Sequence, residues 1–301
     1  MNIRMKLKIL LIGCISSILL FSCIAEGLPE CPPSVTLQLT FSYLGDTNDP
    51  YMFGRKIDHV TLFVYDENEK QVLTQTLNKN ELTRQQGTDL FLDPGNYKIV
   101  CWGNAHEFTR IYRHELFTES RIHHPNFFDH SSITTNSHLY YGAYSATVPE
   151  NGMASGDVSF CGAHINVEVY IRDLTSKNAN NSLPQVEAHN LMPQYDMEMK
   201  PVQPYSTTYY PETNFNAERG VSQTLFQVLR FNDDNPVRIE VKEPDGKSKC
   251  RIELKKYMAD NKITVNGKNE ATVSILIEDT DLGVAIKLPE WVINEVTPGT
   301  K

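Results

Sequence analysis

Histidines are the side chains of this sequence whose type and clustering could bind a metal. Six of them fall in one stretch with Glu115 and Asp129 close by: His106, His114, His123, His124, His130 and His138. Histidine together with a carboxylate can bind zinc, but the irregular spacing of these residues selects no set of ligands. Solvated or packed loop histidines are the simpler interpretation, so the sequence predicts no metal site and no cofactor.

Two close pairs of carboxylates could act as acid and base, Asp279 with Asp281 and Asp233 with Asp234. Such pairs between strands are more often turn residues, because short acidic side chains hydrogen-bond to their own backbone. The sequence also contains no glycine-rich nucleotide loop, no nucleophile elbow and no zinc-protease helix motif. We therefore predict no catalytic residue and a protein that is not an enzyme.

The sequence around Cys23 indicates a different chemistry. Cys23 follows an apolar run, and basic residues precede that run. Three basic residues precede residues 9–21, a thirteen-residue run without charge or proline, and this is the layout of a secretory signal peptide. The run is shorter than the roughly 20 apolar residues that a bilayer-spanning helix needs. Its ending, Leu-Phe-Ser-Cys, matches the bacterial lipobox, in which diacylglycerol is attached to the cysteine thiol. An ordinary signal peptide followed by a chance cysteine is the alternative.

The lipobox predicts a lipoprotein signal peptide over residues 1–22 and a lipidated tether over residues 23–32. Acyl chains on Cys23, such as palmitate, hold a protein on a membrane because each buried CH₂ is worth about 0.8 kcal/mol. The charge agrees with attachment by lipid alone, since loss of three basic residues with the signal peptide changes the net charge from −9 to −12. Such an anionic surface repels the phosphates of nucleic acids, so the charge excludes nucleic acid as a partner.

Four cysteines follow the lipobox: Cys31, Cys101, Cys161 and Cys250. Export permits disulfides, but the sequence does not decide between the connectivities that four cysteines allow. Cys31 precedes two prolines that extend the chain toward the first strand, and a disulfide from Cys31 to Cys101 is the pairing to test first. Cys161 and Cys250 are interpreted as small buried hydrophobic residues.

Alternating apolar and polar residues predict an all-β fold. The alternation is clearest in VTLQLTFSY, residues 35–43, and closely spaced strands with turn signals indicate a sandwich or barrel. Further strand patterns lie at residues 59–66, 71–77, 96–104, 138–148, 158–174, 223–231, 237–257, 271–279 and 282–291. We predict two domains, residues 33–150 and 155–301, joined by a Gly- and Pro-rich linker at residues 149–157, with residues 105–137 as a partly helical insertion.

Several segments, in this order, resemble one family. They are the lipobox cysteine, CPP at residues 31–33, HVTLFVYDEN at 59–68, LDPGNYKIVCWGN at 92–104, LYYG at 139–142 and DLGVAIKLPEW at 281–291. Together they resemble the fimbrium-anchoring subunit family of Bacteroides-like bacteria, over about residues 23–291. The resemblance implies two tandem transthyretin-like β-sandwich domains and a surface-exposed lipoprotein of the cell outer membrane. It also implies a fimbrial stalk subunit (fimbrillin) as partner, whose assembly ends at the anchor.

Fimbrial fibres of this kind grow by strand exchange, in which an extended segment of one subunit fills an open sheet of another. Because Cys23 tethers the amino-terminal end, we hypothesise that the stalk-binding strand lies near the carboxyl-terminal end. Its residues would be Leu282, Val284, Ile286, Leu288 and Trp291; a closing core strand is the alternative. The alternative function is a glycan- or protein-binding surface lipoprotein that uses exposed loop tyrosines. These tyrosines are Tyr195, Tyr205, Tyr209 and Tyr210.

Overall fold

Short strands connected by turns build the protein, as the alternating sequence predicts. The structure is a computed structural model that describes residues 35–129, 131–173, 183–202, 206–280 and 283–292. The predicted signal peptide and tether, with Cys23 and Cys31, lie outside the described residues. The chain divides into two units, Met1–Val35 and Thr36–Lys301, and the following description concerns the second.

The first half of this unit is one seven-stranded sheet that bends into two layers. Strands up to residue 162 are β1 (Leu37–Ser42), β2 (His59–Tyr65), β3 (Gln71–Asn78), β4 (Gly87–Leu90), β5 (Gly95–Gly103), β6 (Arg110–Tyr112), β7 (Arg121–His123), β8 (Tyr140–Val148) and β9 (Ala154–Gly162). The sheet order is β3-β2-β5-β8-β9-β1-β4. One end of β9 pairs with β8, and the rest runs parallel to β1. β9 therefore carries the sheet from one layer into the other.

The core of this first sandwich lies between its two layers. Leu37, Leu39 and Phe41 alternate on β1 and are almost fully buried, where they pack with the inward residues of β2 and β8. Burial of each such side chain stabilises the fold by about 1.5–3 kcal/mol. The alternation that predicted β1 thus also identifies the face that it buries.

Cys101 belongs to the same core. It has no solvent exposure and forms no disulfide with another described cysteine, and burial raises the pKa of its thiol above the ordinary value. Cys161 and Cys250 are half-buried free cysteines. Because Cys31 lies outside the described residues, the disulfide between Cys31 and Cys101 stays a prediction.

The second half forms a sandwich of two separate sheets. Its strands are β10 (His164–Asp173), β11 (Gln185–Leu191), β12 (Gln194–Tyr195), β13 (Thr207–Tyr209), β14 (Thr213–Asn216), β15 (Val221–Leu229), β16 (Arg238–Lys242), β17 (Ser248–Glu253), β18 (Thr272–Thr280) and β19 (Gly283–Lys287). The five-stranded sheet has the order β14-β15-β10-β18-β19, and the four-stranded sheet has the order β13-β11-β16-β17. Alternate residues of β10 and β18 pack against those of β11 and β16 to form the second core.

Helices are short and few among the described residues, which agrees with the predicted all-β class. They are α1 (Met52–Lys56), α2 (Lys79–Arg84), α3 (Leu254–Asp260), a 3₁₀ turn at Pro125–Phe127 and the helical residues 290–292. Asn78 caps α2 by accepting hydrogen bonds from the first turn, and Glu81 caps the Asn78 N–H in return. Within the described part of the chain, no helix has the length and apolar character needed to cross a membrane.

The change from the first sandwich to the second falls later than the sequence suggested. Residues 149–157 form the β8–β9 connection and the start of β9, which belongs to the first sheet. The break between β9 and β10 is at Ala163, in the middle of a continuous strand pattern. A Cβ at Gly162 would lie 1.9 Å from the Asn269 carbonyl oxygen, so only glycine allows the backbone of the second sandwich to approach here.

The insertion at residues 105–137 is built from strands and loops, with one 3₁₀ turn in place of the expected helices. Its strand β7 pairs with β6 and, from the second half of the chain, with β12. Under this small sheet lies an aromatic cluster that includes Trp102, Tyr195 and Ile122. The Trp102 and Tyr195 rings stack with their centroids 6.2 Å apart. The insertion and β12 therefore join the two sandwiches through a shared apolar core.

A polar contact joins the two sandwiches at a second place, around Glu270. Its carboxylate accepts hydrogen bonds from the Tyr43 and Tyr140 hydroxyls and forms an ion pair with Lys56 at 2.7 Å. Asp46 accepts from the Glu270 backbone N–H at 3.1 Å. Because Tyr43 and Tyr140 are buried, the Glu270 carboxylate satisfies two hydroxyl donors that water does not reach freely.

Candidate functional site

Strand β19 is an open edge of the second sandwich. Among the described residues its only pairing partner is β18, along Gly283 to Lys287, and it ends the five-stranded sheet. An edge strand leaves half of its backbone N–H and C=O groups free to pair with another strand. β19 therefore has the backbone chemistry that strand addition needs.

Two apolar side chains of β19 are exposed beside these backbone groups. Val284 and Ile286 are each 38% exposed. Ile286 lies opposite Ile277 of β18, which is fully buried in the second core, so both β19 side chains point to the inner face of the sheet. Val284 and Ile286 extend the apolar inner face to the edge of the sheet, where it is only partly covered. They form an apolar strip at this edge.

An ion pair between a lysine of the four-stranded sheet and an acid of β18 borders this strip. Lys249 of β17 forms ion pairs with Asp279 of β18 and with Glu243, the latter at 2.9 Å. The Lys249 side chain is 10% exposed, and its two carboxylate partners raise its pKa above the ordinary value although burial acts in the opposite direction. The ion pairs connect the four-stranded sheet to β18 and hold the sandwich together next to its open edge.

The chain after β19 folds over the outer face of the same sheet. Pro289 has no N–H for a ladder, and β19 ends at Lys287, before this proline. The Trp291 ring then packs edge-on against Tyr170, with centroids 5.1 Å apart. The Arg219 guanidinium lies 4.9 Å from the centroid of the Trp291 ring, close enough for a cation–π interaction. Trp291 thereby fastens the end of β19 to the sheet.

Charges on the outer face hold β19 in register. Glu278 of β18 accepts from Arg172 at 2.6 Å and pairs with Lys287 of β19 at 2.9 Å. The hydrogen bond from Lys287, together with Arg172, lowers the pKa of Glu278 below its ordinary value of 4.5. The carboxylate is therefore ionised at neutral pH, and β19 is held by charge on one face while its apolar strip is open on the other.

The five residues predicted to bind the stalk do not share one face. Val284 and Ile286 form the exposed strip, whereas Trp291 is half-buried on the opposite face against its own chain. Leu288 is half-buried after the end of the strand. Leu282 lies outside the described residues. The structure thus places two of the predicted residues at an accessible edge and gives Trp291 a supporting position.

Two of the four loop tyrosines proposed as a binding surface are core residues. Tyr195 and Tyr209 are fully buried, because Tyr195 packs under the insertion and Tyr209 lies in the second core. Tyr205 lies outside the described residues. Tyr210 is exposed and lines a groove with Leu183, Pro184 and Pro211.

The histidine stretch does not converge on one point among the described residues. His106 packs against His59, His138 lies against His164, and His123 and His124 are buried. His130 lies outside the described part. The metal-ligand group that the described residues do contain lies elsewhere: Glu187, His189 and Glu240. No local sequence pattern predicts this group, because two strands that are far apart in the chain contribute its members.

The acid pairs have structural partners where they are described. Asp233 accepts from Thr264 and from the Val265 backbone, each at 2.7 Å, and these hydrogen bonds lower its pKa. Asp234 pairs with Lys255 at 2.6 Å. Asp281 lies outside the described residues.

Comparison with known proteins gives one family and several related structures. A family model described as fimbrillin-A associated anchor proteins Mfa1 and Mfa2 matches residues 28–297. A candidate adhesin from Bacteroides ovatus superposes with a TM-score of 0.70 at 14% identity, over 89% of this chain and 96% of that one. A candidate polysaccharide-binding protein from Bacteroides thetaiotaomicron gives 0.69 at 14% identity, over 84% and 96%. The fimbrial anchor protein Mfa2 from Porphyromonas gingivalis gives 0.62 at 12% identity, over 83% and 94%. Curated protein sequences give no match.

Proposed function

Because the chain belongs to the family of fimbrillin-A associated anchor proteins Mfa1 and Mfa2, we propose that it attaches a fimbrial stalk to the outer membrane. In this proposal acyl chains on Cys23 hold the protein in the membrane, and β19 accepts a strand from the first stalk subunit. In the same proposal the anchor is the last subunit to join, so stalk assembly ends at it. The protein binds and performs no reaction.

The single observation that carries the stalk joint is the open β19 edge with its exposed apolar strip. A stalk strand laid beside β19 would pair the free backbone groups and cover Val284 and Ile286 at the same time. Backbone pairing supplies affinity, and the side-chain pockets of the strip supply register. The Trp291 contact and the ion pair between Glu278 and Lys287 support this role, because a strand under mechanical load must itself be held to its sheet; both contacts lie at the carboxyl-terminal end of β19.

The proposed membrane attachment derives from the lipobox at Cys23. Two or more acyl chains make attachment lasting, whereas a single chain gives only marginal binding. The net charge of −9 supports attachment by lipid, because an anionic protein gains nothing from anionic headgroups.

Replacing Cys23 by alanine tests the proposal in cells. We expect the variant to lose its acyl chains, and fimbriae to be shed into the medium instead of staying on the cell. The measurement is the ratio of cell-bound to released stalk subunit, with electron microscopy of the cell surface. Cys14→Ala, a change in the same leader, is the matched control and should leave the ratio unchanged. Fimbriae that stay fixed to Cys23→Ala cells at normal number would contradict the proposal.

A glycan-binding role is the second candidate function, and the groove at Tyr210 favours it. Tyr210 is 48% exposed beside Pro184 and Pro211, and an exposed tyrosine ring can stack on a sugar face. Tyr210-dependent binding of polysaccharide, together with normal fimbriae in the Cys23→Ala cells, would favour this role over the anchor.

A further inference from the structure

We infer that Glu187, His189 and Glu240 form a binding site for a divalent transition-metal ion, with zinc as the ion that the donors fit best. The site lies on the outer face of the four-stranded sheet, away from β19. It does not depend on the proposed joint with the stalk.

The three side chains are brought together by strand pairing. Glu187 and His189 are two residues apart on β11, so they share a face. Glu240 lies directly opposite Glu187 on the neighbouring strand β16. Three potential ligand atoms, one from each residue, all lie within 4.8 Å of one another. Both strands are central in the sheet, which makes the arrangement rigid.

The distances fit the edges of a zinc coordination tetrahedron. The Nε2 atom of His189 lies 3.3 Å from Oε2 of Glu187 and 3.6 Å from Oε2 of Glu240. With zinc bonds of about 2.0–2.2 Å, the ligand atoms of a tetrahedral site are about 3.3–3.6 Å apart. An ion between the three atoms could therefore reach all of them with only a small movement of the second carboxylate.

A cation also resolves a conflict among these side chains. The His189 Nε2 is shielded from solvent and has no hydrogen-bond partner within the part of the chain that the structure describes, although two carboxylates face it. If Nε2 carries the proton, its N–H points at neither carboxylate oxygen. If Nε2 is unprotonated, its lone pair lies between two anions. Glutamates directly opposite each other on paired strands repel as well. A metal ion between the three ligand atoms would accept the Nε2 lone pair and would offset the repulsion between the two carboxylates.

Each of the two carboxylates uses one oxygen for an ion pair, so its other oxygen is available to a metal ion. Lys242 pairs with Oε1 of Glu187 at 2.6 Å, and Arg251 pairs with Oε1 of Glu240 at 3.1 Å. In both residues Oε2 is the atom that faces His189.

The other ring nitrogen of His189 supports the same interpretation. Nδ1 lies 3.1 Å from the Thr208 hydroxyl of β13. Metal-binding histidines usually donate their second N–H to such a group, which fixes the ring and the tautomer. With the proton on Nδ1, the Nε2 lone pair is available to the ion. Imidazole with carboxylates favours zinc and its neighbours over calcium or magnesium, which prefer oxygen alone. Three protein ligands leave a fourth position for water.

Zinc binding to the full-length chain, purified in detergent, tests the site. We expect dialysis against zinc followed by metal-free buffer to leave one zinc ion per chain, counted by mass spectrometry of the metal. His189→Ala and the isosteric Glu240→Gln should each weaken zinc binding at least about tenfold in calorimetric titration. Cobalt in place of zinc should give the intense visible absorption of a four-coordinate ion, and that absorption should be lost in both variants.

His106→Ala is the matched control, because His106 belongs to the histidine stretch and lies near the carboxylate of Asp58. It should hold zinc as tightly as the unaltered chain. Circular dichroism shows whether each variant is folded. If His189→Ala does not fold, Glu240→Gln still tests the site, because it keeps the side-chain volume. Zinc held equally by Glu240→Gln and the unaltered chain, or no retained zinc in the unaltered chain, would overturn the site.

Discussion

Replacing Ile286 by lysine is expected to separate the protein from its stalk while the protein itself stays folded. Ile286 is 38% exposed on an edge strand, so a lysine there can extend into solvent at a cost within about 0.5–1 kcal/mol. In the joint, however, the same lysine would be covered by the added strand and lose its water. We expect the complex to weaken by about 2 kcal/mol or more, which corresponds to about thirtyfold in Kd.

Phe215→Lys provides the matched control for this experiment. Phe215 is a 62% exposed apolar residue on β14, the opposite edge strand of the same five-stranded sheet. The control adds the same charge to an edge that the account leaves free. The measurements are the affinity of each variant for purified stalk subunit and its urea midpoint. Equal weakening by both variants would count against β19 as the joint, and so would unchanged affinity in Ile286→Lys.

Lowering the pH from neutral to about 4.5 is expected to destabilise the contact between the two sandwiches through His164. This histidine is 2% exposed, and burial lowers its pKa from 6.5 to about 4. Its Nδ1 donates to the Leu139 carbonyl at 2.9 Å, and its Nε2 lies 3.3 Å from Nδ1 of His138. A proton on Nε2 would place a charge in this buried contact and would remove the lone pair to which the His138 Nδ1–H can donate.

The sign follows from where the proton binds. The unfolded chain takes up a proton on this histidine as the pH falls through 6.5, whereas the folded chain does so only near 4. Stability is therefore complete above pH 6.5 and decreases toward pH 4, by at most about 3 kcal/mol from this residue. Burial also lowers the pKa of His124 to about 4, and its contribution has the same sign.

Urea unfolding at pH 7 and at pH 4.5 measures this effect. His164→Asn removes the titration and keeps a side-chain N–H that can reach the Leu139 carbonyl, so the difference between the two pH values should shrink by about 2–3 kcal/mol. His106→Ala removes a half-exposed histidine and should leave the difference as it is. A His164→Asn chain that loses as much stability in acid as the unaltered chain would contradict the prediction.

Much of the strand content follows from the sequence alone, because alternation is a local property. The nine-residue pattern at residues 35–43 predicted β1 and its buried face, and the family resemblance is confirmed by the match over residues 28–297. The pattern at residues 237–257 predicted strand structure, and β16 and β17 form an antiparallel pair there. Its last residues become α3 instead, because Leu254, Tyr257 and Met258 bury one helical face. That face spans less than two turns, too short for a period to be recognised.

The parts that the sequence did not reveal depend on contacts between distant segments. The exposure of Val284 and Ile286 could not be read from an apolar pattern, which is the same for a core strand and for an edge strand. Trp291 was grouped with them by its spacing, yet the chain turns after Pro289 and brings its ring to the other face. The Glu187, His189 and Glu240 group exists only because β11 and β16 pair in one register.

The claim that β19 receives the stalk is tested most directly by cross-linking in cells. A photoreactive amino acid would replace Ile286 in one strain and Phe215 in another, and both strains would be illuminated while they carry fimbriae. The account predicts a covalent product with the stalk subunit from the position of Ile286 and none from the position of Phe215. No product at the position of Ile286, or equal products at both positions, would contradict it.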